Sequence, residues 1–406
     1  METIRVYAAI IGGGASGLMC GCIAGKKHPD KKIVVIERDN RVGKKILVSG
    51  NSRCNLTNLN ASKNNYNSSF EKGVSFLLEN YPPQKVVDYF KSIGLLSFAD
   101  SEGRVYPLSK QSTAVLAVLR NELKRRGVEE ICDCTVFEIT KCNDSYKLKC
   151  NDKTIIAQKV VIATGGKNNY AQKVIDDTYA VAKSTGHMVS KLTPSLSPVK
   201  VQSKYINSLK GIRVQGKVTA VLNGEKIKSD SGEIQFSNNA LSGICVFNLS
   251  GIINQSDNAQ IVVQLLPDYS LEEIKNMLYT RKKLVNKDSA QEIFTGLFHK
   301  NIGIALLKES NISTNITANE LTDKDIRALA TTINKWIFDV VKSNDFSNAQ
   351  VTRGGICGNQ IDATTMESKL CKNVYICGEA IDVDGECGGY NLQFAFSSGM
   401  CVGESL

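Results

Sequence analysis

"IRVYAAIIGGGASGLMCGCIAGKK", residues 4–27, opens with a β-rich apolar run of the length of a buried parallel strand. Gly12, Gly14 and Gly17 then fit the pattern G-x-G-x-x-G. In such a turn the first glycine lets the chain bend tightly, the second lets the backbone approach a pyrophosphate, and the third lets helix pack on strand. "LMCGCIAGKK" continues at helical spacing to a break at His28-Pro29, and "KKIVVIERD" reads as a second buried strand. The result is a βαβ unit with Ala15 and Ser16 in the strand-to-helix turn, where a helix N-terminus offers free N–H groups to an anion. Glu37 stands at the end of the second strand, about 20 residues past the last glycine, where a carboxylate binds ribose hydroxyls. This arrangement predicts an adenine dinucleotide. Glu37 favours a free ribose 2′-hydroxyl over a 2′-phosphate, because two anions repel; the neighbouring Arg38 acts in the opposite sense.

The rest of the chain is compatible with that reading. At 406 residues it is long enough for a main domain and a smaller one. Apolar content of 42% and charged content of 22% place it among globular proteins, and no apolar run reaches the roughly 20 residues of a membrane span. The glycine pattern argues against reading the N-terminus as a signal peptide, so a cytoplasmic protein is expected. The 13 cysteines form no C-x-x-C pair and the 3 histidines lie far apart, which predicts reduced thiols, no disulfide framework and no metal site. The formal charge of +10 comes from dispersed basic residues with short clusters such as "LKRRG" and "RKK", the pattern of a solvated surface. A small-molecule substrate is therefore expected, with neither nucleic acid nor membrane as partner; the oligomeric state is open.

Helices are predicted at "PPQKVVDYFKSIG", and at "STAVLAVLRNELKRRG" with Ser112 or Thr113 as cap. An antiparallel meander is predicted through "CTVFEITKC", "SYKLKC" and "KTIIAQ", followed by a separate buried strand in "KVVIATGG". From Leu192 the texture changes to alternating strands, then to helices beginning with "SLEEIKNML", where Ser270 and Glu273 form a capping box. The expected organisation is a first part of the nucleotide-binding domain at 1–191, an inserted β-rich then helical domain at 192–342 that roofs the cofactor, and the second part at 343–406.

Near the C-terminus, "KNVYICGEAIDVDGECGGYNLQFAFSSGMCVGESL" supplies a strand Val374 to Cys377, a tight Gly378-Glu379 turn, a glycine-rich loop and a terminal helix starting near Asn391. A nicotinamide dehydrogenase has no need of this second motif. A flavin does: Glu379 can reach its ribityl chain, and a helix N-terminus can face its C2 carbonyl, which gains negative charge on reduction.

The strings "IIGGGASGLM", "VGKKILVSGNSRCNLTN", "VVIATGG", "VTRGGI", "TMESKL" and "YICGEAIDVDGECGGYNLQFAFSSG" together resemble the bacterial flavoproteins grouped as the aminoacetone oxidase and 3-dehydro-bile-acid Δ4,6-reductase family, across essentially the whole chain. The resemblance implies an α/β glutathione-reductase-type Rossmann FAD domain, interrupted by an inserted mixed β-barrel and helical domain, with one noncovalent FAD. Carried onto this sequence, Gly12, Gly14, Gly17 and Glu37 hold the ADP half. The loop with Lys44, Lys45, Ser49, Gly50, Asn51, Arg53, Cys54 and Asn55 runs along the cofactor, and Thr164 and Gly165 pack near it. Gly378, Glu379, Asp384, Gly389, Tyr390, Asn391, Leu392 and Gln393 surround the ribityl and ring. Arg353 departs from the family's small residue in "VTRGGI" and is expected in a surface ion pair.

Arg53, Tyr390 and Asn391 are the candidates for catalytic contact. Cys54 and Cys387 lack a partner at dithiol spacing and are expected to be small packing residues. His187 is expected to be structural. With no second G-x-G-x-x-G after a strand, three electron routes stay open: transient docking of NADH or NADPH, transfer to oxygen, or a carrier. The expected activity is FAD-dependent reduction of an activated C=C bond in a 3-oxo bile-acid or steroid-like enone. The alternatives are oxidation of an amine, an RNA-modifying flavoprotein, and a non-catalytic flavoprotein.

Overall fold

The computed structural model describes residues 2–167 and 179–406. The run read as the first strand forms Glu2–Ile11, the centre of a 7-stranded sheet. Ile33–Ile36 lies parallel on one side, followed by Glu129–Ile131, and Lys153–Ile162 lies parallel on the other. Ala8, Ala9, Ile10, Val34, Val35, Val161 and Ile162 are buried on both faces, as the unbroken apolar runs require. Helix Ala15–Lys27 returns the chain between the first two strands.

Lys153–Ile162 is one continuous strand, where the sequence suggested two. No turn residue separates Gln158 from Lys159. The partner along one edge changes instead: Thr154–Ala157 pairs antiparallel with Ser145–Cys150, and Val160–Ile162 pairs parallel with Val374–Ile376. That switch brings the C-terminal motif beside the glycine turn. Helices Pro83–Ser92 and Ser112–Arg125 form where expected, but Gln111 is the N-cap of the second and Ser112 Oγ donates to Leu47 O at 2.7 Å. Helix Ala180–Ser184 precedes His187; the run "TYAVAKSTG", whose spacing predicts this helix, begins at Thr178, outside the described residues.

By its internal contacts the chain divides into Met1–Leu192 with Val351–Leu406, and Thr193–Gln350. The second unit runs past the expected return at 343, because Lys200 pairs with Asp345 at 3.4 Å and Gln350 N–H donates to Leu196 O at 3.3 Å. Within it, six antiparallel strands close a barrel around Phe236, Trp336 and Phe338. Its long hairpin, Arg213–Leu222 with Glu225–Ser237, turns through Asn223 and Gly224 at φ +50° and +86°, as a two-residue turn of this hand demands. Helix Leu271–Val285 carries the predicted Ser270–Glu273 capping box.

One local motif in the first unit bears on stability. Asp362 Oδ1 accepts from Thr364 N–H at 2.9 Å, Thr364 Oγ1 at 2.7 Å, Thr365 N–H at 2.9 Å and Thr365 Oγ1 at 3.0 Å. The Thr364 hydroxyl leads these donors in holding the carboxyl down at about 2. A depressed carboxyl stabilises the fold fully above its unfolded pKa of about 3.9 and loses that contribution as pH falls through the folded value. Asp362→Ala is expected to cost about 1–3 kcal/mol at neutral pH by denaturant titration, with the gap to wild type closing toward pH ~2.

Candidate active site

The glycine turn is shaped by contacts that no side chain could share. A Cβ at Gly12 would lie 2.3 Å from Ala163 O, and one at Gly17 2.0 Å from Gly12 O. Gly14, the N-cap of helix Ala15–Lys27, faces open space and has no side-chain cap, so the first-turn N–H groups keep their anion-binding capacity. Glu37 is fixed beside this turn: its carboxylate accepts from Gly13 N–H at 2.9 Å and Asp39 N–H at 3.0 Å. Burial pushes the Glu37 carboxyl up, and those two donors pull against it.

The polar stretch after it is more structured than its composition suggested. Lys44–Val48 forms a short helix, and Thr57–Asn58 pairs with Arg104–Pro107. Between them Gly50, Asn51, Ser52 and Cys54 all take left-handed φ, from +53° to +63°. Such conformations are costly for Ser and Cys and persist only under outside constraint. Two backbone bonds supply it: Ser112 N–H to Ser52 O at 2.9 Å and Cys54 N–H to Ser49 O at 3.0 Å. Asn51 and Arg53 are thereby held on the exposed rim, while Cys54 is buried with its thiol pushed up to about 12 by desolvation.

The C-terminal motif meets both segments. Gly378, at φ +71°, sits against Ser16, and its N–H donates to Ser398 Oγ at 3.0 Å. Helix Tyr390–Ser405 packs on helix Ala15–Lys27 through Gly399, whose Cβ would lie 2.4 Å from Ser16 O. Its N-cap, Gly389, has φ +102° and lies against Thr57 and Asn55. Asn58 Nδ2 holds the adjacent Gly388 O at 3.0 Å. Glu379 accepts from Thr352 N–H at 2.9 Å and pairs with Lys45, while Gly166 presses against Glu379 and Thr352. Glycine turn, polar loop, Thr164–Gly166 and terminal helix therefore line one connected region of the first unit.

Comparison with known proteins places this arrangement. The model of the family described as HI0933-like protein Rossmann domain matches residues 6–405. The chain belongs to the HI0933-like family. It is 31% identical to the 3-dehydro-bile acid delta(4,6)-reductase of Clostridium scindens, over 98% of both chains. It is 26% identical to the ribosomal RNA dihydrouridine synthase of Escherichia coli, over 99% of this chain and 98% of that one. Among solved structures, E. coli quinol fumarate reductase FrdA matches 100% of this chain and 70% of its own with a TM-score of 0.51 at 15% identity, a likeness of fold. The protein is an FAD-dependent oxidoreductase with a Rossmann-type FAD-binding fold.

The residues of this HI0933-like chain suit FAD. Thr164 Oγ1, Thr352 Oγ1 and Asn55 Oδ1 are buried without a hydrogen-bond partner, on three segments that line the region. Buried polar atoms of this kind are normally satisfied, and an extended, hydroxyl- and carbonyl-rich cofactor offers the missing partners. Gly12, Gly14, Ala15, Ser16, Gly17 and Glu37 surround the dinucleotide turn, and Arg38 is half-buried beside it. Lys44 is taken by Asp39 at 3.3 Å, and Ser49 Oγ donates to Ile46 O at 2.7 Å.

Several expectations are corrected. Asn391 clamps the loop before it: its Nδ2 donates to Gly385 O at 2.8 Å and its Oδ1 accepts from Gly385 N–H at 2.9 Å, so its amide is not a free catalytic group. Gln393 is a core residue, accepting from Thr57 Oγ1 at 2.6 Å and donating to Tyr81 O at 2.9 Å. Asp384 faces Arg353 and Asn67, and the Arg353 ion pair is buried, not superficial. Tyr390 and Leu392 stay half-buried on the first turn of the terminal helix, where Tyr66 OH donates to Tyr390 O at 3.0 Å. His187 is locked between Thr185 Oγ1 and Ser368 Oγ, both at 2.8 Å. Among the described residues no cluster could hold a metal ion, and no helix is long and apolar enough to cross a membrane. Sequence reasoning missed Thr352 and Gly13, and it placed Asn58 in the cofactor loop without its bond to Gly388. Strand alternation in "VTRGGI" could have paired Thr352 with the face opposite Arg353, whereas the Asn58–Gly388 bond had no local signal.

Proposed function

We propose that the protein is a reductase of carbon–carbon double bonds conjugated to a carbonyl, acting on a small molecule of the 3-oxo bile-acid or steroid-like enone class with noncovalent FAD. The observation that carries this reading is the terminal helix. It starts behind Gly388-Gly389 with no acidic residue in its first turn and no side-chain cap. A helix N-terminus stabilises nearby negative charge by about 0.3–2 kcal/mol, which favours a reduced, anionic flavin. FAD, when bound, supplies the hydride; Glu379 and Thr352 hold its polyol side, and the rim residues Asn51, Arg53 and Tyr390 orient the substrate. Noncovalent binding is supported by Cys54, buried with a raised thiol, and by His187, fully engaged elsewhere. NADH or NADPH, docking transiently, is the proposed donor.

The names of the two full-length relatives share this chemistry. A 3-oxo-4,6-diene and the uracil ring both carry a C=C bond conjugated to a carbonyl, so one flavin geometry serves either. The 26% identity to ribosomal RNA dihydrouridine synthases keeps RNA as the second reading. The small molecule is preferred because many basic side chains are already paired, among them Arg120 with Glu130, Arg125 and Arg126 with Glu122, and Arg213 with Glu233. A direct test is incubation of the purified protein with NADH or NADPH and either a 3-oxo-4,6-diene steroid acid or unmodified ribosomal RNA. Saturation of the diene, read by mass and loss of ultraviolet absorbance, supports the proposal. Dihydrouridine without diene reduction, or peroxide formed only with an amine, contradicts it.

A further inference from the structure

Successive residues of strand Val351–Arg353 point to opposite sides. The Thr352 hydroxyl lies with the Glu379 carboxylate against Gly166, and Arg353 points the other way with its side chain 8% exposed. Its Nε donates to Asp384 Oδ1 at 3.0 Å and Oδ2 at 3.2 Å, and Asn67 Nδ2 donates to the same Oδ1 at 3.0 Å. Among the described residues no acceptor meets Nη1 or Nη2, and neither atom is among the partnerless polar atoms sealed from solvent. A buried guanidinium present merely to neutralise Asp384 would leave no such edge, since buried donors are normally satisfied.

The unused Nη1–Nη2 edge is the planar fork that takes a carboxylate in two parallel hydrogen bonds. It is also rigidly aimed. Gly355 packs with its Cβ position 2.7 Å from the Ile381 backbone, and Asp384 lies opposite Asn67 in the pairing of Val383–Gly385 with Tyr66–Ser68. The next residue, Gly385, is clamped by Asn391 on the first turn of the terminal helix. The fork is thus tied, through Asp384 and Gly385, to the N-terminus of the terminal helix that the flavin reading uses.

We propose that Arg353 is a specificity-determining residue that receives the carboxylate of an anionic small-molecule substrate. The inference rests on the reductase reading for the identity of the substrate, but its binding test does not. The probes are a steroid-like 3-oxo-4-ene acid with a side-chain carboxylate and its methyl ester, titrated into the FAD-loaded protein while the flavin absorbance is followed. Arg353→Met is expected to weaken the acid roughly 10- to 100-fold and to leave the ester within about twofold. Arg353→Lys, which keeps the charge and loses the fork, is expected to fall between. If Arg353→Met fails to fold or to retain FAD, Arg353→Met with Asp384→Asn removes both charges and carries the same comparison. Equal weakening of acid and ester, no weakening of the acid, or weakened binding of ribosomal RNA alone overturns the proposal. If the wild type binds the acid tightly but reduces neither probe, the reductase reading fails while the acid-to-ester ratio still judges Arg353.

Discussion

Gly17→Ala is expected to yield a destabilised protein without flavin. The new Cβ would lie 2.0 Å from the carbonyl oxygen of Gly12, and both atoms belong to backbone, so no rotamer relieves the clash. Helix Ala15–Lys27 would have to lift off the sheet, breaking its contact with the terminal helix, where Gly399 already approaches Ser16 O so closely that only hydrogen fits. Overpacking of this kind costs about 3 kcal/mol or more. Gly14→Ala is the control. Gly14 has φ −84° and nothing within 4 Å of its Cβ position, so the fold should tolerate alanine while FAD, approaching by that face, should bind more weakly. Thermal unfolding and the ratio of flavin to protein absorbance separate the two effects. A Gly17→Ala protein of wild-type stability with full flavin would contradict the packing described above.

Glu37→Ala is expected to lower FAD affinity roughly 10- to 100-fold, the range for losing hydrogen bonds to a charged acceptor. The carboxylate is already oriented by Gly13 and Asp39, so the ribose meets an organised acceptor. The pH dependence gives a second signature. Burial raises the Glu37 carboxyl above the ordinary glutamate range, and ribose hydroxyls donate to the ionised form. FAD affinity in the wild type should therefore hold at neutral pH and fall on acidification through that raised pKa. In Glu37→Ala the acid limb should disappear, as read by fluorescence titration of apoprotein with FAD. Equal affinity in wild type and variant would place the ribose elsewhere.

What could be read from sequence was what short-range chemistry determines. The βαβ unit, Glu37 at the end of its second strand and the Ser270 cap each rest on chemistry carried by one continuous segment of the chain. The helix Lys44–Val48 and the left-handed run after it were hidden, because the bonds to Ser112 and the packing of Ile46 that hold them come from elsewhere in the chain. Asn391, Gln393 and Arg353 were misjudged for the same reason. An amide in a glycine-rich loop looks the same in sequence whether it faces a cofactor or a backbone carbonyl, and its partner decides. The left-handed residues of "GNSRCN" contain only one glycine, so the usual sign of positive φ was largely missing.

Anaerobic single turnover tests the central claim most directly. The purified protein, loaded with FAD and bleached by a stoichiometric amount of NADH or NADPH, is mixed with the 3-oxo-4-ene acid while the flavin absorbance is followed. The prediction is rapid return of the oxidised flavin spectrum with one saturated product per flavin. A flavin that is bleached by neither nicotinamide, or that stays reduced until oxygen is admitted, would contradict it.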